Sequence, residues 1–301
     1  MSTLRKYYRK PNAYITLPSK GILYTLNSEE KSVMEEIGVL RMTMMNQLAA
    51  NNPESLINGQ TVEELIKDCT TIQNVEPRKM LKCDVDALIM GIRMVSVEDV
   101  MNLELVCPKC ETQQTYGVDL SRMLSEMTYH EELPYNFTLP TTGDMNLKVI
   151  PSTLESALRV DQSFFQDAKE IDAIRRSLKA NYDSNKITED EMEELQSQMK
   201  SHVDRIHEIQ LNMTMNTLQL YADCILSVTT PDGDEVDDNN EILDFVTTLT
   251  QEDHDALKSK IAEINKIGIP KNQDFQCPSC EHEFNAPVEI NPTDFFANGS
   301  R

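Results

Sequence analysis

Apolar residues recur along the chain with two periods, and the alternation between them outlines the elements. Ala13–Tyr24 reads as a short strand, a Pro18-Ser19-Lys20-Gly21 turn and a second short strand. Glu36–Met42 is another strand, and a short helix follows through Leu48. Thr61 and Glu64 form a capping box that opens a helix over Val62–Thr70. Asp84 stands where it would cap a helix over Val85–Met94, with Leu88, Ile89, Ile92 and Val95 marking a core face.

Farther along, Tyr135–Pro140 and Met145–Ile150 flank a Thr141–Asp144 turn as a hairpin. Ser152 then caps a helix to about Asn181, with Leu154, Leu158, Phe165, Ala168, Ile171, Ile174 and Leu178 inward. Thr188 and Glu191 form a further capping box. Met192, Leu195, Met199, Ile206, Ile209, Met213 and Leu220 recur at three- and four-residue steps after it. That stripe predicts a helix of roughly eight to ten turns, long enough to project as a coiled-coil arm. His202 and Asn216, on or beside the stripe, read as register-setting or satisfied core groups. Ile225–Val228 is a strand with a Pro231-Asp232-Gly233 turn. Helices over Ile242–Leu249 and Asp253–Ile267 follow, the second capped from Thr250, and Gly268-Ile269-Pro270 ends it.

The cysteines add candidate chemistry. Of seven, four form two Cys-Pro-x-Cys pairs, Cys107/Cys110 and Cys277/Cys280. A two-residue spacing turns both sulfurs of a pair toward one metal, and two such knuckles complete a tetrahedral zinc site. The pairs resemble each other beyond the cysteines. Each continues with Glu (Glu111, Glu281), each has a Val eleven residues after its first Cys (Val118, Val288), and each follows a strand-like stretch. Two hairpins with knuckle turns, an internal repeat, would make one zinc ribbon interrupted by the 166 residues between them. The other readings are two unrelated turns or a redox pair; a thioredoxin-like motif would be single and would open a helix after a strand. Four thiolates close the coordination sphere, so the zinc would be structural, one per chain. Cys69, Cys83 and Cys224 fall in apolar-periodic segments and read as small buried hydrophobes.

Charge narrows the function. The 301 residues carry a formal charge of −22. Arg5, Lys6, Arg9 and Lys10 stand in the first ten residues without an acid, so the rest carries −26. An acidic body argues against nucleic acid as the main partner and against an anionic membrane surface. The basic head reads as a frayed terminus or a contact for an acidic partner. No apolar run approaches the ~18–20 residues of a membrane span, and no leader pattern opens the chain. Asp232, Asp234, Asp237 and Asp238 lack EF-hand spacing and read as a solvated loop. No phosphate loop, nucleophile elbow or His-Glu-x-x-His is present, and the five histidines form no motif. His282 is close enough to Cys280 to substitute for a cysteine ligand, though four are already present. The enzyme reading is therefore weak and no small-molecule substrate is expected.

The stretch from Cys83 through Val97 and Leu103–Val106 into Cys107-Pro108-Lys109-Cys110 resembles the baseplate hub assembly proteins of T-even-type contractile-tailed phages. The Leu17-Pro18-Ser19-Lys20-Gly21 opening with Tyr24, and the second knuckle ahead of Phe295-Phe296, resemble the same group. The likeness covers roughly residues 13–120 and 275–296 and leaves the insert 150–270 unmatched. It implies a non-enzymatic hub subunit or hub assembly factor, working among hub, wedge or tail-tube proteins as part of an oligomeric assembly. Its place would be the host cytoplasm during assembly and the baseplate of the virion. The alternative is a zinc-ribbon adaptor of a transcription or replication complex. The expected fold is α+β: a mostly helical body with short β-hairpins and a split four-cysteine ribbon. The expected parts are 1–130 ending in the first knuckle, a helical insert 131–270, and 271–301 completing the ribbon.

Overall fold

A computed structural model describes residues 9–24, 36–72, 74–142, 144–182 and 189–288. Arg5, Lys6, Thr188 and Phe295-Phe296 lie outside the described residues, as do the side chains of Leu178, Glu191, Met192 and Leu195. The fold is α+β, with helices joined by short antiparallel strand pairs.

Strand β1 (Ala13–Ile15) pairs with β2 (Ile37–Val39), Ala13 opposite Val39. Helices α1 (Met44–Ala50), α2 (Pro53–Ile57) and α3 (Gln60–Cys69) follow, then α4 (Lys82–Ser96) and the short α5 (Leu120–Ser125). The sequence predicts one core face for α4, but every residue from Cys83 to Arg93 is buried. A helix apolar enough all round is enclosed rather than laid on a surface, and here α3, β1, β2 and later helices surround it. Gly91 explains how closely β1 approaches: a Cβ there would stand 1.9 Å from Ile15 Cδ1.

Two predicted caps do other work. Gly59, left-handed at φ +78°, takes the N-cap position of α3. Thr61 is buried in the first turn, its Oγ1 within hydrogen-bond distance of Ser55 Oγ (3.0 Å) and Ala49 O (3.3 Å). Asp84 lies within the first turn of α4, which has no side-chain cap. Its carboxylate instead accepts from Ser19 N (2.9 Å), Ser19 Oγ (2.5 Å) and Tyr24 Oη (2.5 Å). This attachment is why no second strand forms before Tyr24. The chain there winds through successive turns, with Ile22 N donating to Ser19 O and Tyr24 N to Gly21 O.

A second core lies around a four-stranded antiparallel sheet: β5 (Tyr135–Thr138), β6 (Asn146–Val149), β7 (Ile225–Thr229) and β8 (Glu235–Val236), in that order. The two-residue β8, too short to be visible as a pattern, is held by Lys148 Nζ to Glu235 (2.7 Å) and by Ser227 Oγ to the same carboxylate (2.6 Å). Helices α8 (Asn239–Thr248) and α9 (Gln251–Ile264) bring Ile242, Val246, Leu257, Ile261 and Ile264 into this core beside Leu147, Val149 and Val228. Their caps are local. Asp238 accepts from Asn240 N and Glu241 N, so part of the predicted acidic loop is a helix cap. Thr250 caps α9 as expected.

Between the sheet's halves run α6 (Leu154–Tyr182) and α7 (Glu189–Asp223), packed as an antiparallel pair. Ser152 does not cap α6; it donates from N and Oγ to Asn265 Oδ1 (3.0 and 3.1 Å), and Thr153 Oγ1 accepts from Ser156 N. The predicted inner stripe also shifts. Leu154 and Ile174 are buried, but Phe165 and Ala168 are exposed and Asp167 lies inward. Lys169 Nζ rests 4.1 Å from the Phe165 ring centroid, which gives the outward aromatic a partner. On α7, Ile209 is buried while Met199 is about half exposed. Among the described residues no helix is long and apolar enough to cross a membrane.

Gly91→Ala should lower stability by about 1–3 kcal/mol despite the gain in helix propensity, because the methyl meets Ile15. Ile15→Val removes the colliding Cδ1. The Ile15→Val/Gly91→Ala double variant should therefore lose less than the two single losses added together, measured by urea denaturation.

Candidate metal centre

The ribbon is built from two hairpins of the same design. Strands β3 (Val100–Val106) and β4 (Gln113–Asp119) pair with Val106 opposite Gln113. Strands β9 (Asn272–Gln276) and β10 (Glu283–Pro287) pair with Gln276 opposite Glu283. Each turn has the same backbone bonds. Cys107 N donates to Thr112 O (3.1 Å) and Glu111 N to Cys107 O (2.9 Å). Cys277 N donates to His282 O (2.9 Å) and Glu281 N to Cys277 O (2.8 Å). Glu111 and Glu281, at φ 54° and 57°, both occupy the left-handed region that closes the knuckle. The repeat visible in the sequence is thus a repeat of geometry.

The hairpins meet through side chains. Tyr116 of β4 stands edge-on to Phe275 (5.3 Å between centroids) and Phe284 (5.8 Å) of the other hairpin. Gln114 Nε2 donates to Ser279 Oγ (3.2 Å). Behind them Met101, Val118, Phe275, Ala286 and Val288 join the first core, around α4. The ribbon is therefore rooted in the body by apolar contacts at its base.

At its head, Cys107, Cys110, Cys277 and Cys280 bring their sulfurs within 4.8 Å of one another. Cys107 Sγ lies 3.8 Å from Cys280 Sγ, and Cys110 Sγ 3.6 Å from Cys277 Sγ. A tetrahedral ion with metal–sulfur bonds of about 2.3 Å requires sulfur–sulfur edges of about 3.8 Å. The residues therefore fit such an ion and can hold one. Cys107 and Cys277 are fully buried, and Cys110 and Cys280 half-buried. Crowding divides the thiols. Hydrogen bonding from Thr112 pulls Cys110 down to about 6. For Cys277, burial pushes up, but the Ser279 and Cys280 amides outweigh it and the thiol is lowered. For Cys280 the His282 amide pulls down, but burial and the neighbouring thiols push it up to about 12. Four sulfurs this close repel one another as thiolates unless a cation stands among them. His282 contributes its carbonyl to the turn and is not one of the four clustered groups.

The other three cysteines are buried, as expected. One has a neighbour that the sequence did not single out: Cys83 Sγ lies 3.8 Å from His130 Nε2, and Tyr135 Oη 3.0 Å from His130 Nδ1. This is not a nucleophile–base pair. Burial, then the charge of Asp84, pushes the Cys83 thiol well above its usual value, and burial lowers His130 to about 4. A protonated thiol beside an enclosed neutral imidazole has neither the charge nor the access for attack.

A split tetracysteine ribbon on an α+β body is the class of protein that this geometry defines. A family model described as T4 bacteriophage base plate protein matches residues 25–214 and 202–297, and the chain belongs to that family. The match runs through the α6–α7 arm, which the sequence resemblance left out, and begins after the Leu17–Tyr24 opening that helped to carry it. No curated protein and no solved structure matches the chain.

His130 generates a pH prediction. Its folded-state value, about 4, is below the unfolded value of about 6.5, so the unfolded chain binds the proton more readily. Stability should be intact above pH ~6.5 and fall by on the order of 2–3 kcal/mol as pH drops toward 4. Urea melts at stepped pH should show that slope in the native protein and a shallower one in His130→Gln.

Proposed function

We propose that this protein is a non-enzymatic component of the phage baseplate hub, a hub subunit or a hub assembly factor, stapled by one structural zinc and acting through contacts with other baseplate proteins. The observation that carries the reading is the family match over nearly the whole chain. The four-sulfur cluster supports zinc. An all-thiolate donor set suits a borderline-soft ion with no geometric demand beyond the tetrahedron, and it leaves no position open for water or substrate. Cys107, Cys110, Cys277 and Cys280 would hold the ion. Its contribution would be folding free energy, because chain ends far apart in sequence must be together for it to bind.

The electrostatics support protein partners over nucleic acid. A chain of −22 repels phosphate backbones, whereas basic surfaces of hub, wedge or tail-tube proteins would be drawn to it. The α6–α7 arm supports the same reading, since Val203, Leu211 and Met215 stand exposed on it and an unbranched thioether adapts to varied surfaces. In this reading the protein is made in the host cytoplasm and joins the baseplate there. The three parts, 1–130, 131–270 and 271–301, would be a body, an insert that carries the helical arm on its own sheet and core, and a closing segment.

Elemental analysis of freshly purified, reduced protein should find one zinc per chain; finding none would remove the metal from the proposal. Cys107→Ser or Cys277→Ser should lower unfolding free energy by roughly 3–5 kcal/mol, and Cys224→Ser by about 1–2. Quantitative mass spectrometry of purified virions tests the role. A fixed copy number identifies a structural part of the virion, as a hub subunit would be. Absence from virions, together with failed baseplates when the protein is withheld, identifies an assembly factor. Complete baseplates formed without the protein would sink both.

A further inference from the structure

Where the two cores meet, the first turns of α4, Ser152 just ahead of α6 and the segment from α9 to β9 enclose a cleft of about 490 Å3. The walls are tied together. Lys82 N donates to Ser152 O (2.8 Å), Ser152 N to Asn265 Oδ1 (3.0 Å), and Lys271 Nζ stands 3.1 Å from Asp86 Oδ2. Lys82 also bridges to Asp86, whose side chain is only 4% exposed. Among the described residues the lining holds three lysines, Lys82, Lys266 and Lys271, against one carboxylate. That is a local charge of +2 in a chain of −22. Ile267, Ile269 and Pro270 supply an apolar side.

We propose that this cleft is a docking site for an acidic segment of a partner protein, one with carboxylates on either side of an apolar residue. Charge complementarity selects the sign: three ammonium groups on partly exposed stems suit separate carboxylates, and the isoleucine–proline side suits the residue between them. Phosphate sites often present an arginine fork, and among the described residues no arginine lines the cleft. Three separate ammonium groups suit spaced carboxylates instead. Asp86, beneath Lys82 and Lys271, fixes where two of the three charges stand. The site bridges both cores, so occupancy would also brace the body against the arm-bearing half.

This inference rests on the reading of the chain as a protein that acts by protein contacts. It is tested on the isolated full-length protein, so failure here leaves the virion experiment standing. The probe is a fluorescently labelled Asp-Glu-Leu-Glu-Asp peptide, followed by anisotropy. It should bind saturably and more weakly as salt rises. Its Asn/Gln counterpart should bind at least ~tenfold more weakly. Lys266 is exposed and makes no ion pair among the described residues, so Lys266→Glu should leave the melting curve in place and weaken the peptide by ~tenfold or more, and Lys266→Gln should weaken it less. Lys258→Glu, the same charge change on an exposed face of α9, should change binding by less than about twofold. The proposal is overturned if the peptide does not saturate, if Lys266→Glu and Lys258→Glu weaken it equally, or if inorganic pyrophosphate displaces it at lower concentration than unlabelled peptide.

Discussion

Two pairs of sulfurs separated by 166 residues of chain stand within 4.8 Å of one another, and the rest of the molecule is arranged so that they can. Closing a loop of that length removes chain entropy worth about 5 kcal/mol, a cost that some set of native contacts must offset. The Tyr116–Phe275–Phe284 cluster joins the hairpins, and Val118, Ala286 and Val288 root them beside α4. The second core closes the loop from within, since β6 pairs with β7 across the whole arm. A metal at the ribbon head would tighten a closure that the body already prepares.

The same dependence decides what could be read from the residues. The ribbon was legible because its signal is local and doubled: a Cys-Pro-x-Cys turn needs no distant partner to declare itself. Helix α9 was legible for the same reason, its Thr250 cap lying three residues from the amide it caps, whereas Asp238 looked like one more acid of a solvated loop and the start of α8 was set three residues late. Asp84 was misread because its partners are 65 and 60 residues away, and nothing local distinguishes a helix cap from an acceptor for Ser19 and Tyr24. Thr61 was misread because Gly59 could take a left-handed φ and start the helix earlier. The fully buried α4 was underestimated because periodicity marks one face and is silent about how many elements close around the others. The lysine cleft had no sequence signal: Lys82 and Lys271 are 189 positions apart and converge only through Asp86.

The arm shows how the balance of forces changes along one element. At its base, Tyr221 and Ala222 belong to the second core, and Leu154 to the first. Farther out the seam between α6 and α7 becomes polar. Asn216 Nδ2 donates to Ser163 Oγ (2.6 Å), and Arg205 grips Glu170 through Nε and Nη2 (2.5 and 2.9 Å) while Nη1 reaches Glu208. Among the described residues beyond the base, Ile174 and Ile209 are the apolar side chains buried between the helices. Exposed ion pairs contribute at most about 1 kcal/mol each, and two buried isoleucines a few more. Those bonds fix register and orientation better than they stabilise. The outer arm therefore has its alignment set by polar contacts and its apolar side chains, Val203 and Leu211 among them, left outward. A monomer gains nothing from that arrangement. The function proposed above would give that arrangement a use: another baseplate protein would complete the burial that the two helices leave open, while the two cores anchor the arm's base.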